Sequence, residues 1–155
     1  MRFLSDAFHR VTGLLSTRAA APKGVAVPGK FQEYKAKAEQ GDAEAQFSLG
    51  FCYDDGRGVA KNYAQAAKWY RKAAEQNYAP AQFNLGYCCA NGQGVGKDIV
   101  EAYAWFGMAA KADADAAGSR DLLRKGLTPQ QFTDAQKRTK ALRLQIADKF
   151  KPSTP

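Results

Sequence analysis

The sequence predicts an all-α protein: a short right-handed α/α solenoid of about two full 36-residue helix-turn-helix repeats, with a partial N-terminal helix and a C-terminal capping helix. Two observations carry this. Shifted by 36 residues, the chain aligns with itself, pairing Ala45, Gln46, Phe47, Leu49, Gly50, Cys52, Gly56, Gly58, Val59, Trp69 and Ala73 with Ala81, Gln82, Phe83, Leu85, Gly86, Cys88, Gly92, Gly94, Val95, Trp105 and Ala109. A period of that length is the signature of stacked supersecondary units. Within each unit, capping residues and glycines fall where two helices must start and stop.

The 155 residues suffice for one core, and 45% hydrophobic with 25% charged residues is ordinary globular usage. No stretch approaches the roughly 18 unbroken apolar residues of a membrane span. Three stretches follow: an amphipathic N-terminal segment over 1–18, a linker over 19–29, and a solenoid over 30–150. The solenoid holds repeats at about 41–76 and 77–112, then a degenerate third repeat and capping helix at 113–150.

In the first segment Phe3, Leu4, Ala7, Phe8, Val11, Leu14 and Leu15 recur at helical spacing. Three roles compete for it: docking on the solenoid's own edge, binding a partner, or lying on a membrane. Asp6, His9 and Arg10 interrupt what would be the apolar core of a secretory signal. The expected location is cytoplasmic, with membrane association or an organellar transit peptide as alternatives. Residues 19–30, rich in Ala, Pro and Gly, read as a flexible connection. A lone second helix begins near Pro28, because Tyr34, Ala38 and Gln40 stand 36 residues before Tyr70, Ala74 and Gln76.

Asp42 is placed to cap the first helix of the first repeat, its side chain able to accept from a free backbone N–H. Gly56 and Gly92 close the first helices where a left-handed residue is favoured. Asn62 and Asp98 start second helices over about 63–76 and 99–112, and Asp98 with Glu101 has capping-box spacing. Ala66, Trp69, Tyr70, Ala73 and Ala74 share a helix face, and Trp69 and Trp105 are expected to fill the space between layers rather than cage a ligand. Thr128, Pro129 and Gln131 supply an N-cap, a proline at the first helical position and a capping-box partner for a long last helix. Phe132, Ala135, Leu142, Ile146 and Phe150 are its candidate inward residues.

The run AxAQFxLGxCxxxGxGVxK, followed by AxxWYxxAA or AxxWFxxAA, resembles the Sel-one-like repeat, a relative of the tetratricopeptide repeat. The likeness covers about 40–112. It implies a non-catalytic adaptor or scaffold that takes a protein or peptide segment in a concave groove lined by the first helices. On that expectation Phe47, Phe51, Asp54 and Asp55, with Phe83, Tyr87 and Asn91, form the groove stripe, and Gln82 and Asn84 are amide ligands for an extended backbone. Phe47 and Phe83 read equally well as core; Phe51 and Tyr87 are the stronger choices.

Charge is uneven. Residues 1–30 carry net +4, 31–119 net −2 and 120–155 net +6, of a total +8. The basic end comprises Arg120, Arg124, Lys125, Lys137, Arg138, Lys140, Arg143, Lys149 and Lys151. Its plainest reading is a solvated face. The alternative function is a peripheral membrane factor that uses the N-terminal helix and this end on an anionic surface. Nucleic acid is the weakest partner, since the basic helices lack interleaved aromatics. A monomer is expected.

No catalytic set, cofactor or metal is expected. Cys52, Cys88 and Cys89 lack metal spacing and read as buried apolar residues, against a thiol-dependent third reading. The glycine pairs lack the strand and GK[ST] context of a phosphate loop. Asp54 and Asp55 are replaced by Ala90 and Asn91 in the second unit.

Overall fold

The computed structural model describes residues 29–151, and every regular element among them is helical. In order these are α1 (Phe31–Glu39), α2 (Ala43–Asp55), α3 (Tyr63–Ala74), α4 (Ala79–Asn91), α5 (Ile99–Ala109), α6 (Ala114–Arg124) and α7 (Pro129–Lys149). The N-terminal segment, nearly all of the linker and His9 lie outside the described residues.

Helix starts follow the side-chain chemistry. Asp42 accepts from the Ala45 N–H at 2.7 Å, Asn62 from Gln65 at 3.0 Å and Asp98 from Glu101 at 2.9 Å. Thr128 and Gln131 complete the reciprocal capping box of α7. The box expected at Asp98 is only half made: the Glu101 carboxylate turns away from the Asp98 N–H to accept from Trp105 and Arg138. The first helices end on left-handed Gly56 and Gly92, φ 73° and 68°. The second helices stop two and three residues short of the expected ends, at Ala74 and Ala109.

Each helix packs on the next from α1 to α6, and α7 returns to lie on α5. The buried core runs through both units, from Phe47 and Tyr70 to Leu85, Trp105 and Phe106, and reaches Leu142 and Ile146 of α7. The closest approach is a repeat feature. A Cβ on Gly50 would lie 2.8 Å from the Tyr70 ring, and one on Gly86 3.0 Å from Phe106. Glycine there lets the aromatic ring of each second helix rest on the backbone of its first.

Two expectations need correction. Trp105 is fully buried, but Trp69 is half-buried and its ring carries the Lys72 ammonium 4.0 Å from its centroid. The difference follows the neighbours: α7 lies on α5, the helix of Trp105, whereas Trp69 packs beside Ala38, Ala45 and Leu49. Phe150 is 60% exposed and does not join the interface that Ala135, Leu142 and Ile146 form.

The two units solve one buried position differently. In the first, the Tyr70 hydroxyl donates to Asp54 Oδ2 at 3.0 Å, both residues being buried. Burial first, then the nearby Asp54 carboxyl, raises the Tyr70 phenol far above its ordinary value and keeps it a donor. In the second unit the same positions hold Phe106 and Ala90. Tyr70→Phe should therefore cost roughly 1–3 kcal/mol, because a buried acceptor loses its donor. Adding Asp54→Ala should recover part of that loss. A double-mutant cycle from urea denaturation measures the coupling, and strict additivity would show that the pair is not one unit.

Candidate functional site

The first helices carry the nine residues expected to face a groove, and the structure separates them. Phe47, Phe51, Asp54, Gln82, Phe83 and Asn84 are buried. Asp55 and Tyr87 are half-buried and Asn91 is exposed.

Each burial has its own cause. Phe47 meets Tyr70 and Tyr78 with ring centroids 5.7 and 5.5 Å apart, and Phe83 meets Phe106 at 5.4 Å, so both phenylalanines hold first helix to second. Phe51 packs with Cys52 against Phe31, Tyr34 and Val59, under the Arg57 guanidinium 5.2 Å away. Gln82 turns its amide inward: its Nε2 donates to Ala74 O and Asn77 Oδ1, both at 3.2 Å. Its counterpart Gln46 donates to Ala38 O at 3.1 Å. In each unit, then, the glutamine adds a side-chain hydrogen bond to a carbonyl at the end of the preceding second helix, which also accepts from the backbone N–H of Gly41 or Asn77. Asn84 is wholly enclosed, with no surface left to meet a ligand.

What remains accessible is an edge at the C-terminal ends of α2 and α4, where Asp55 and Asn91 hold equivalent positions one repeat apart. Asp55 Oδ2 accepts from Arg57 Nε at 2.6 Å. Asn91 Nδ2 donates to the Tyr87 carbonyl at 2.9 Å. Asp55, Tyr87 and Asn91 offer a carboxylate, a phenol and an amide at the equivalent ends of the two first helices, groups that can hydrogen-bond a peptide.

The cysteines offer little nucleophilic chemistry. All three are free and buried. Burial, helped by the Glu101 charge, pushes the Cys89 thiol up to about 12, and burial also raises Cys52. A thiol needs a lowered pKa to react readily at neutral pH. Among the described residues no group of three or more His, Cys, Asp or Glu side chains is placed to hold a metal ion. No described helix is long and apolar enough to cross a membrane.

The basic end is partly neutralised. Arg138 pairs with Glu101, Arg120 with Asp121, Lys149 with Glu75 and Lys151 with Asp148, while Arg124 lies 3.6 Å over the Phe132 ring. The anchoring role of Glu101 had no signal in the sequence, since its counterpart is Gln65 and its main partner is 37 residues away.

A model of the Sel1 repeat matches residues 43–78 and 79–113. No curated protein sequence matches the chain. Among solved structures, the chain is similar to a protective antigen of uropathogenic Escherichia coli with an SLR fold, at 29% identity and a TM-score of 0.71 over 98% of this chain and 34% of the antigen. A Sel1 repeat protein from Oxalobacter formigenes is 31% identical with a TM-score of 0.61, over 79% of this chain and 65% of that one. Helicobacter pylori cysteine rich protein B is 25% identical with a TM-score of 0.58, over 74% of this chain and 92% of its own. The chain thus spans about a third of the antigen's length and just under two thirds of the second protein's.

Proposed function

The chain carries two Sel1 repeats, and from that premise we propose that it is a non-catalytic adaptor holding a peptide or protein segment at the C-terminal ends of α2 and α4. The Sel1-repeat fold commonly mediates protein–protein interaction, and the family is generally non-catalytic. The observation that carries the reading to this edge is the contrast between frame and surface. Phe47 and Gln46 recur unchanged as Phe83 and Gln82 and are buried, whereas Phe51 and Asp55 become Tyr87 and Asn91 where the second unit is more exposed. Specificity on a repeat scaffold sits in such side chains, which can change without disturbing the frame.

Because Phe51 is buried, truncating it would report folding rather than binding; Tyr87 and Asn91 are the residues to test. A photo-crosslinking amino acid at position 91 should capture one dominant protein from a lysate of the source organism, and Tyr87→Ala should reduce that capture at least fivefold. The same probe at exposed Lys68, on α3, should not capture it. Equal capture from both positions, or capture from position 68 alone, would move the interface off this edge.

A further inference from the structure

Between α5, α6 and α7 lies a cavity of about 320 Å³ lined by Tyr103, Gly107, Arg120, Gln136, Thr139, Lys140 and Arg143. Its origin is a departure from the repeat: position 71 of the first unit is arginine, whereas its counterpart 107 is glycine, so the floor is bare backbone. A Cβ there would already lie 3.3 Å from Thr139 Cγ2.

Three cationic side chains line this cavity and no carboxylate does. Arg120 directs Nε and Nη2 to Asp121 Oδ1, at 2.9 and 2.7 Å, which leaves the other guanidinium nitrogen. Among the described residues Arg143 makes a 3.5 Å contact from Nη2 to Gly107 O, and the Lys140 ammonium has no hydrogen bond or ion pair. Converging arginine and lysine donors of this kind recognise carboxylates or phosphates. A volume near the lower end of the range for organic ligands exceeds what a bare ion fills.

What lies beside the cavity selects between these anions. Arg143 also lines a second cavity, of about 450 Å³, walled by Met108 of α5 and by Ile146 and Phe150 at the end of α7, with Lys111 and Asn77 at its sides. Phe150 is among the few large apolar side chains left exposed in the described residues. A cationic cavity beside a more apolar one, with Arg143 on the wall of both, complements an acidic side chain followed by an apolar side chain, and the Gln136 amide can donate to and accept from a peptide backbone.

We propose that the α5–α7 groove is a docking site for an acidic–apolar peptide segment, in which a carboxylate sits among Arg120, Lys140 and Arg143 and a neighbouring apolar side chain lies on Met108, Ile146 and Phe150. This surface is separate from the α2–α4 edge, so it stands whether or not that edge binds.

The test is selection from a library of capped random octapeptides on the full chain. Wild type should enrich peptides with Asp or Glu beside Leu, Ile or Phe, and selected peptides should lose at least tenfold in affinity for Lys140→Gln/Arg143→Gln. The control Lys125→Gln/Lys137→Gln, an equal charge loss outside the groove, should stay within twofold. Phe150→Ser should weaken the apolar preference and keep the acidic one. All these positions are exposed, and thermal unfolding checks that each variant is folded. No acidic–apolar enrichment, or an equal loss in the control pair, would overturn the proposal. So would groove-dependent binding of inorganic phosphate, an oligonucleotide or anionic phosphatidylserine vesicles in place of the peptides.

Discussion

Gly94→Ala is expected to lower the unfolding free energy by about 3 kcal/mol or more. Two costs add. Gly94 has φ +72°, a conformation in which an L side chain is strained, and an added Cβ would collide with the Tyr63 carbonyl and come within 2.7 Å of the Ala64 nitrogen. Those are backbone atoms at the first turn of α3, so no rotamer change relieves the contact. The clash sits where the loop of the second repeat meets the second helix of the first. Gly58 is the equivalent residue one unit earlier, also left-handed, and its Cβ would lie 3.1 Å from Phe31 Cβ at the start of α1. These glycines therefore set how closely one unit stacks on the last, and losing one should loosen the coupling between units as well as the local turn. Gly96→Ala is the matched control, since nothing lies within 4 Å of its added Cβ and its φ is not left-handed. Urea denaturation should separate the two variants clearly. A Gly94→Ala loss below about 1 kcal/mol would mean that the repeats slide apart at little cost.

The repeat was legible because its determinants are local and occur twice. Asp42, Asn62, Asp98 and Thr128 cap their helices through bonds spanning three residues, and Gly56 and Gly92 end theirs through a backbone requirement that one residue meets. Exposure was less legible, because it depends on what the next unit covers. Phe51 and Tyr87 occupy equivalent positions, yet Phe51 is covered by Phe31 and Tyr34 of α1 while Tyr87 stays half-exposed. The burial of Phe47, Gln82 and Phe83 was within reach of the sequence. Gln46 and Phe47 recur unchanged as Gln82 and Phe83, and residues that stay fixed in two units with different neighbours belong to the frame. The α5–α7 groove was hidden for another reason: its basic residues were visible as a charge excess, but the packing of α7 on α5 rests on contacts far apart in the chain, such as the Arg138–Glu101 pair.

Replacing Glu101 should be the next most costly change, roughly 2–4 kcal/mol for Glu101→Ala. Its side chain is 17% exposed and accepts from Arg138 Nε at 2.6 Å, Arg138 Nη2 at 3.0 Å and Trp105 Nε1 at 2.9 Å, with Arg71 Nη1 3.9 Å away. One carboxylate thus ties α3, α5 and α7 together, and alanine would strand the indole N–H of a buried tryptophan. The same site should shape the acid limb of stability. Burial alone would raise the Glu101 carboxyl, but the hydrogen bonds and charge of Arg138, then Trp105 and Arg71, outweigh it and hold the group below its ordinary 4.5. A carboxyl depressed in the folded state stabilises fully above its unfolded value, and that contribution is lost as pH falls through the folded one. Glu101→Gln, unable to ionise, should therefore be less stable than wild type at pH 7, with the gap narrowing as pH drops below about 4.5. Arg138→Met isolates the cause. Burial is the largest single influence on Glu101, so removing the main opposing partner should move its titration upward, as followed by the side-chain carboxyl resonance in NMR. An unmoved titration would assign the depression to Trp105 and Arg71, and the tie between α5 and α7 would then rest on packing by Ala135, Leu142 and Ile146 rather than on the ion pair.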